Sequence, residues 1–317
     1  MDKCLLMKFG AAAQIGAKVF ILVRALEVPA HLAVLPALSK GAVAVDISRY
    51  RFCEGDEGHC FRGGKWAGIY DYFEKNRDLL DRFDYFWLPD DDIESSPANV
   101  LDFLAIVARN RFRLAQPALR PDSYFAHALT LQSPYFVYRN TSLVELMMPV
   151  FSAALLKEVL PLFKDRHAAL GLDLFWHQLP SRSKRAVAIV DATPMGHYRP
   201  RQQFLAGNMT QMQVNIVEEG KATRRQFGVK RQPLANIGAK TRLGLYLRQG
   251  RLLTWLYMRG MRGTLPQMTR RTLSAEEMAK IEWEQSAFRF QKPAFNRELY
   301  QRFHDEFGQP TQDVPAG

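Results

Sequence analysis

The chain has 317 residues, 47% of them apolar and 24% charged, the balance of a globular protein with a sizeable core rather than a disordered or fibrous chain. No apolar run nears the ~20 residues needed to span a bilayer, and Val19 to Val23 is too short for a signal peptide's apolar segment before Arg24 interrupts it, so a cytoplasmic location is expected. The net charge of +11 is local: thirteen Lys and Arg fall between Lys221 and Arg271, a segment without Asp or Glu.

In chain order, Lys18 to Arg24 reads as a first strand, rich in Val, Ile and Phe. Pro29 to Ser39 reads as a helix closed by Lys40-Gly41. Ala42 to Ile47 reads as a second strand ending at Asp46 and Ser48. Strand alternating with helix this early predicts a parallel sheet with crossover helices. Three cysteines, Cys4, Cys53 and Cys60, supply neither a disulfide framework nor a zinc quartet. The segment Cys53 to Cys60 reads as a solvated loop.

Gly63-Gly64-Lys65-Trp66 precedes a helix over Lys65 to Asn76. Glycines let backbone amides approach a phosphate, a helix N-terminus favours anions, and Lys65 adds a point charge. The spacing is not that of a P-loop, and by itself the turn reads first as an ordinary loop with a helix start.

The most informative stretch is Phe83 to Ile93. Tyr85-Phe86-Trp87-Leu88 is the short apolar run of a strand buried on both faces. Pro89 stops it, and Asp90, Asp91 and Asp92 follow at its carboxyl end, where open α/β sheets place ligands. Adjacent carboxylates repel, and a hard divalent cation, Mg²⁺ or Mn²⁺, relieves that while taking phosphate oxygens as further ligands. Asp90 and Asp92 point the same way in extended chain, with Asp91 turned aside. The alternative is an acidic turn in which Asp92 or Ser95 caps a helix starting near Pro97.

Asn99 to Asn110 is an amphipathic helix with Val100, Phe103, Leu104 and Val107 on one face. Arg113 to Ala115 starts a short strand halted by Gln116-Pro117. Tyr135 to Tyr138 reads as a strand, and Leu143 to Phe163 as largely helical with a break at Pro149. Gly171-Leu172-Asp173-Leu174-Phe175-Trp176 opens a short helix, with Asp173 and Trp176 on one face. Asp173 is there either a base beside an acceptor or a helix cap. Ala186 to Asp191 is the last strong strand. His197 follows it, as a metal or diphosphate ligand or as a packed histidine.

Leu243 to Met261 mixes Leu, Tyr and Trp with Arg. Plotted as a helix it gives a stripe of Leu245, Leu252, Trp255, Leu256 and Met258, with Arg248, Arg251, Arg259 and Arg262 interspersed. An anionic membrane surface suits such a segment. A helix packed on the domain with solvated arginines suits it equally, and nucleic acid ranks last because no nucleic-acid module accompanies it.

Taken together, the early strand-helix units, Gly-Gly-Lys-Trp, the strand ending Asp-Asp-Asp, Gln116-Pro117-Ala118, Val144 to Phe151, Gly-Leu-Asp, Val190-Asp191-Ala192 and His197 resemble domain-of-unknown-function family 707. That family is similar to glycosyltransferases of the GT-A fold. The resemblance covers roughly residues 18–205 and implies an α/β, Rossmann-like, mostly parallel sheet flanked by helices, in a domain taken as residues 1–205; residues 206–317 read from their own composition as a basic, largely helical extension. It implies a metal-dependent glycosyltransferase with a nucleotide-sugar donor, UDP-sugars favoured, and a saccharide or lipid-linked acceptor in envelope glycan synthesis. Asp92 and His197 would hold Mn²⁺ or Mg²⁺. Asp46, Lys65, Asp90 and Asp91 would contact the nucleotide and its diphosphate, and Asp173 would be the catalytic base. From their own composition, and outside the resemblance, residues 221–271 are expected either to meet an anionic membrane surface, on its inner face, or to pack on the domain. The competing function is a non-catalytic, membrane-associated assembly protein on the same scaffold.

Overall fold

The computed structural model describes residues 15–50, 58–179, 185–199, 215–228, 234–264 and 272–287. Its nucleus is β1 (Val19–Arg24), buried along its whole length. Alternate side chains of β1 go to opposite faces of the sheet. Ile21 and Val23 pack with Leu32 and Leu35 of the short helices α1 (Ala30–Ala33) and α2 (Leu35–Leu38). Phe20 and Leu22 pack with Trp66, Ile69 and Phe73 of α3 (Lys65–Lys75). The strand therefore sits between two helical layers, which is why its sequence is apolar throughout rather than alternating.

β1 pairs in parallel with β2 (Val43–Arg49) on one side and with β4 (Tyr85–Trp87) on the other, and β2 pairs in parallel with β3 (His59–Cys60). The short helix α4 (Leu79–Arg82) precedes β4, and β5 (Ile93–Glu94), α5 (Pro97–Arg109) and β6 (Leu114–Leu119) follow it. β7 (Phe136–Thr141), β8 (Val150–Ser152), α6 (Ala153–Val159), β9 (Val187–His197), β10 (Asn236–Thr241) and β11 (Tyr246–Arg248) complete the sheet. Among the described residues the strand order is β11-β10-β7-β9-β6-β8-β4-β1-β2-β3, with β5 paired to the end of β9. The expected α/β class with helices on both faces is present. The parallel pairs are β1/β2, β1/β4, β2/β3 and β6/β9, while β7, β8, β10 and β11 run antiparallel to their neighbours.

Three local readings change. Val150–Ser152 is a strand wedged antiparallel between β4 and β6, where the sequence suggested helix; Pro149 ends the preceding loop and its carbonyl accepts from Leu88 N at 3.0 Å. β6 does not stop at Gln116-Pro117 but runs on to Leu119. Pro117 is tolerated because β8 pairs only with Leu114 and Ala115, so its missing N–H faces no partner strand there. The cap of α5 is Ser96, whose Oγ accepts from Asn99 N at 3.2 Å, rather than Asp92 or Ser95.

The 206–317 segment is more than a helical extension. β10 and β11 extend the main sheet beside β7, and Leu253, Tyr257 and Met261 of the helix Arg251–Thr264 are buried in the same core as β1 and α5. Glu219, in the helix Ile216–Gln226, accepts from the amides of His167, Ala168 and Ala169. The two portions therefore share one core, because these faces are apolar at helical and strand spacing. The segment Cys53 to Cys60 lies outside the described residues up to Glu57, and Cys60 is disulfide-bonded, against the expectation from the cysteine count. No helix among the described residues is long and apolar enough to cross a membrane.

Candidate functional site

Strand order reverses between β1 and β4: the chain leaves β1 for β2 and β3 on one side and returns to β4 on the other. In open α/β sheets a crevice forms at the carboxyl ends of the strands at such a point. Asp90, Asp91 and Asp92 stand just past the end of β4, and Arg24 ends β1. The chain past β4 is held by Asp90 N donating to Met147 O at 2.9 Å. Register then decides the next neighbour: Ile93 pairs with His197, so Asp92, one residue earlier, lies beside that imidazole.

Asp92 Oδ2 is 3.1 Å from His197 Nε2, and both side chains are nearly buried. The other ring nitrogen, Nδ1, is 3.1 Å from the Tyr124 carbonyl. A carbonyl only accepts, so Nδ1 carries a proton and Nε2 faces Asp92 either as imidazolium or with a free lone pair. Burial would lower the His197 pKa, yet the Asp92 carboxylate and the Tyr124 carbonyl outweigh it and raise it. Burial would likewise raise the pKa of Asp92, but His197 and Arg199 together hold it below the usual carboxylate value.

The other two acids are also compensated. Lys65 Nζ, at the first turn of α3, donates to Asp90 Oδ1 at 2.6 Å and to the carbonyls of Leu146 and Met147 at 3.0 and 2.8 Å. Burial pushes Asp90 up and Lys65 down, each opposed by the other. Arg199 NH1 donates to Asp91 Oδ1 at 3.1 Å, and its Nε stands 3.6 Å from Asp92 Oδ2. Burial raises Asp91, with Arg199 opposing.

The glycine turn before α3 is spent on the protein itself. Gly64 N donates to His167 Nδ1 at 3.0 Å, and Trp66 N to His167 O at 3.4 Å. A Cβ at Gly64 would stand 2.3 Å from that same carbonyl oxygen, so close backbone approach, not phosphate binding, requires glycine here. Lys65 is brought to the acids, but its three protons are all committed.

Asp46 is not past a strand end. It lies within β2, paired with Leu22, and its carboxylate accepts from Tyr72 O–H of α3 and from Ile47 N. Asp191, expected at a strand end, lies inside β9, fully buried against Arg139. Asp173 sits in the 3-10 turn Leu172–Leu174 after Gly171. Its helical neighbour Trp176 is core: it is fully buried, its ring lies 5.4 Å from that of Trp66, and its indole N–H donates to Val144 O at 2.8 Å. Trp176 is therefore a core residue.

Sequence reading missed Arg24, Tyr50 and Arg199. Arg24 is fully buried, donating to Ser48 Oγ and to the carbonyls of Arg49, Phe61 and Gly63, with its guanidinium 4.2 Å from the Tyr50 ring. Burial pushes its pKa down to about 10. The signal for it was a lone arginine closing an otherwise apolar strand. Ser48, His59 and Asp71 are linked like a hydrolytic triad, at 2.7 and 2.8 Å. Ser48 is fully buried and already accepts from Arg24 at 2.6 Å, so this chain of bonds anchors Arg24 instead of attacking a substrate.

His177 gives a stability prediction. Burial depresses its pKa from 6.5 to about 4. Below pH 6.5 the unfolded chain takes up a proton that the folded chain refuses, so stability should fall as pH drops from 6.5 towards 4, by up to about 3 kcal/mol. Urea titrations across that range should show the slope flattened in His177→Leu; an unchanged slope would assign it to other groups.

No family model and no curated protein matches the sequence, so the resemblance to family 707 gains no support there. Among solved structures the chain is similar to glucosyl-3-phosphoglycerate synthase from Mycobacterium tuberculosis in complex with Mn²⁺, uridine-diphosphate-glucose and phosphoglyceric acid, at 13% identity and TM-score 0.40, covering 75% of this chain and 89% of that one. It is similar to S. aureus TarS 1-349 at 13% identity and TM-score 0.34, covering 68% and 73%. It is also similar to A197 from STIV at 10% identity and TM-score 0.35, covering 74% and 95%.

Proposed function

We propose that this chain is a metal-dependent glycosyltransferase that moves a sugar from a nucleotide-sugar donor, with UDP-sugars favoured, to a saccharide or lipid-linked acceptor. The observation that carries the reading is the Asp92–His197 pair. Adjacent ligands on one Mn²⁺ or Mg²⁺ ion, each about 2.1 Å from it, stand about 3.0 Å apart, and Oδ2 and Nε2 are separated by 3.1 Å. The Tyr124 carbonyl fixes the tautomer that frees Nε2, as partners of metal-bound imidazoles do. Among the described residues no group of three or more His, Cys, Asp or Glu that could hold a metal ion gathers; Asp92 and His197 would supply two ligands, and phosphate oxygens and water the rest.

A divalent cation bound there supplies Lewis-acid neutralisation of a diphosphate leaving group. Asp92 and His197 would hold it. Lys65 fixes the Asp90 carboxylate at the crevice, where it would accept from a ribose hydroxyl. Asp91 and Arg199 would border the diphosphate. Asp46, turned to Tyr72, stands as a weaker candidate for the nucleotide.

Asp173 is proposed as the base that takes the acceptor's proton. Asp173→Asn should then leave donor affinity near wild type while transfer falls by ~10²-fold or more. Asn serves a turn nearly as well as Asp, so unchanged turnover would remove Asp173 from the mechanism. The reading as a whole is tested by calorimetry: UDP should bind with Mn²⁺ and only weakly without it. Failure of every nucleoside diphosphate to bind with metal would favour the non-catalytic alternative, which draws on one observation, that each aspartate already faces a protein cation.

A further inference from the structure

Apart from Val217, the exposed large apolar residues of the chain's later part fall on two consecutive elements. The β10–β11 hairpin carries Leu243, 88% exposed, and Leu245 at its tip. The helix Arg251–Thr264 buries Leu253, Tyr257 and Met261 and turns Leu252 and Trp255 outward, at 57% and 55% exposure. Leu256 and Met258, expected on the outer stripe, are only partly exposed and pack against the core.

The segment Pro134-Tyr135 joins the hairpin tip to the helix. Arg242, next to Leu243, donates its backbone N–H to Tyr135 O at 3.0 Å and its Nε to Pro134 O at 2.8 Å. From the helix, Arg259 Nε donates to Tyr135 O–H at 3.2 Å, and its guanidinium lies 5.5 Å from the Trp255 ring. Tyr135 is itself exposed. The hairpin and the helix that follows it, both tied to Pro134-Tyr135 from far earlier in the chain, thus present leucines, an indole and a phenol around one bridging segment.

Cations surround these residues. Arg242, Arg248, Arg251, Arg259 and Arg262 are all exposed, and among the described residues none forms an ion pair with a carboxylate. Soluble surfaces rarely leave large apolar side chains clustered in water. Exposed leucines and an interfacial Trp and Tyr ringed by arginines match a bilayer, whose acyl boundary takes the apolar tips while anionic headgroups meet the cations.

We propose that this face, the hairpin tip with the outer side of Arg251–Thr264, docks the protein on an anionic membrane surface. The proposal stands apart from the transferase reading, since it uses none of the residues around Asp92. The test is co-sedimentation of the full chain with vesicles of phosphatidylcholine alone or containing phosphatidylglycerol, at low and high salt, together with Trp fluorescence. Wild type should pellet with the anionic vesicles only, less at high salt, with emission shifted to the blue. The double variant Leu243→Ser/Trp255→Ser should weaken binding at least about tenfold and abolish the blue shift. Arg259→Gln/Arg262→Gln should lose mainly the salt-sensitive part. Circular dichroism should show both variants folded, because the altered side chains are exposed. The proposal is overturned if anionic vesicles leave wild type in the supernatant or if the variants pellet like wild type. It is equally overturned if the face instead holds two copies together, seen as a wild-type dimer that the leucine-tryptophan variant dissociates.

Discussion

Asp191→Ala should destabilise the protein by about 3–5 kcal/mol, the cost of leaving one member of a buried ion pair without the other. Arg139 and Asp191 are both fully buried. Arg139 Nε and NH2 donate to the two carboxylate oxygens at 2.8 and 3.0 Å, and Ser133 N adds a third bond at 2.8 Å. The same guanidinium donates to Leu129 O and Leu131 O and lies 4.7 Å from the Tyr257 ring. One ion pair thus ties β7 to β9, to the turn before β7 and to the helix of the later segment. Urea denaturation of Asp191→Ala and of Arg139→Met should each show this loss, with lowered midpoints. Arg139→Met/Asp191→Leu should recover much of it, since the pair itself, measured against apolar replacements, is close to neutral. Single variants within about 1 kcal/mol of wild type would show that water reaches the pair.

The second large effect lies at the site. Asp92→Ala should lower the affinity for Mn²⁺ with UDP by at least about 10²-fold, since loss of even an outer-shell partner costs about 10–100-fold. Folding should survive at some cost in stability, because the nearly buried Asp92 leaves His197 and Arg199 without its charge while the apolar core is untouched. Proton competition adds a signature. Asp92 holds the His197 pKa above the ordinary imidazole value, so the ion competes with a proton for Nε2. Metal affinity should therefore rise with pH and flatten once Nε2 is free. In Asp92→Ala both the affinity and this slope should be lost. A variant that still binds the metal-nucleotide pair with the wild-type pH profile would place the ion elsewhere.

Much of the fold was legible because β1, β4 and α5 are long or strongly apolar and their burial follows periodicity. The acid triplet was legible because Pro89 and the aromatic run mark where β4 ends. What escaped depended on long-range pairing. Val150–Ser152 is too short to announce itself, and only its place between β4 and β6 makes it a strand. Asp46 and Asp191 looked like strand ends because the apolar run stops there, yet pairing with β1 and with β6 carries both strands further. Arg199 could not be assigned from a single basic residue after His197, since its meaning comes from the bond to Asp91. The strands of the later segment were hidden by composition: Tyr246–Arg248 lies in a run that plots equally well as helix.

The most direct test of the proposed site is a crystal of the full chain grown with UDP and Mn²⁺, measured for anomalous scattering from manganese. One strong peak is expected about 2.2 Å from Asp92 Oδ2 and from His197 Nε2, with the diphosphate oxygens completing its shell. Bound UDP with no peak at these two atoms, or a peak held by other residues, would contradict the proposed site.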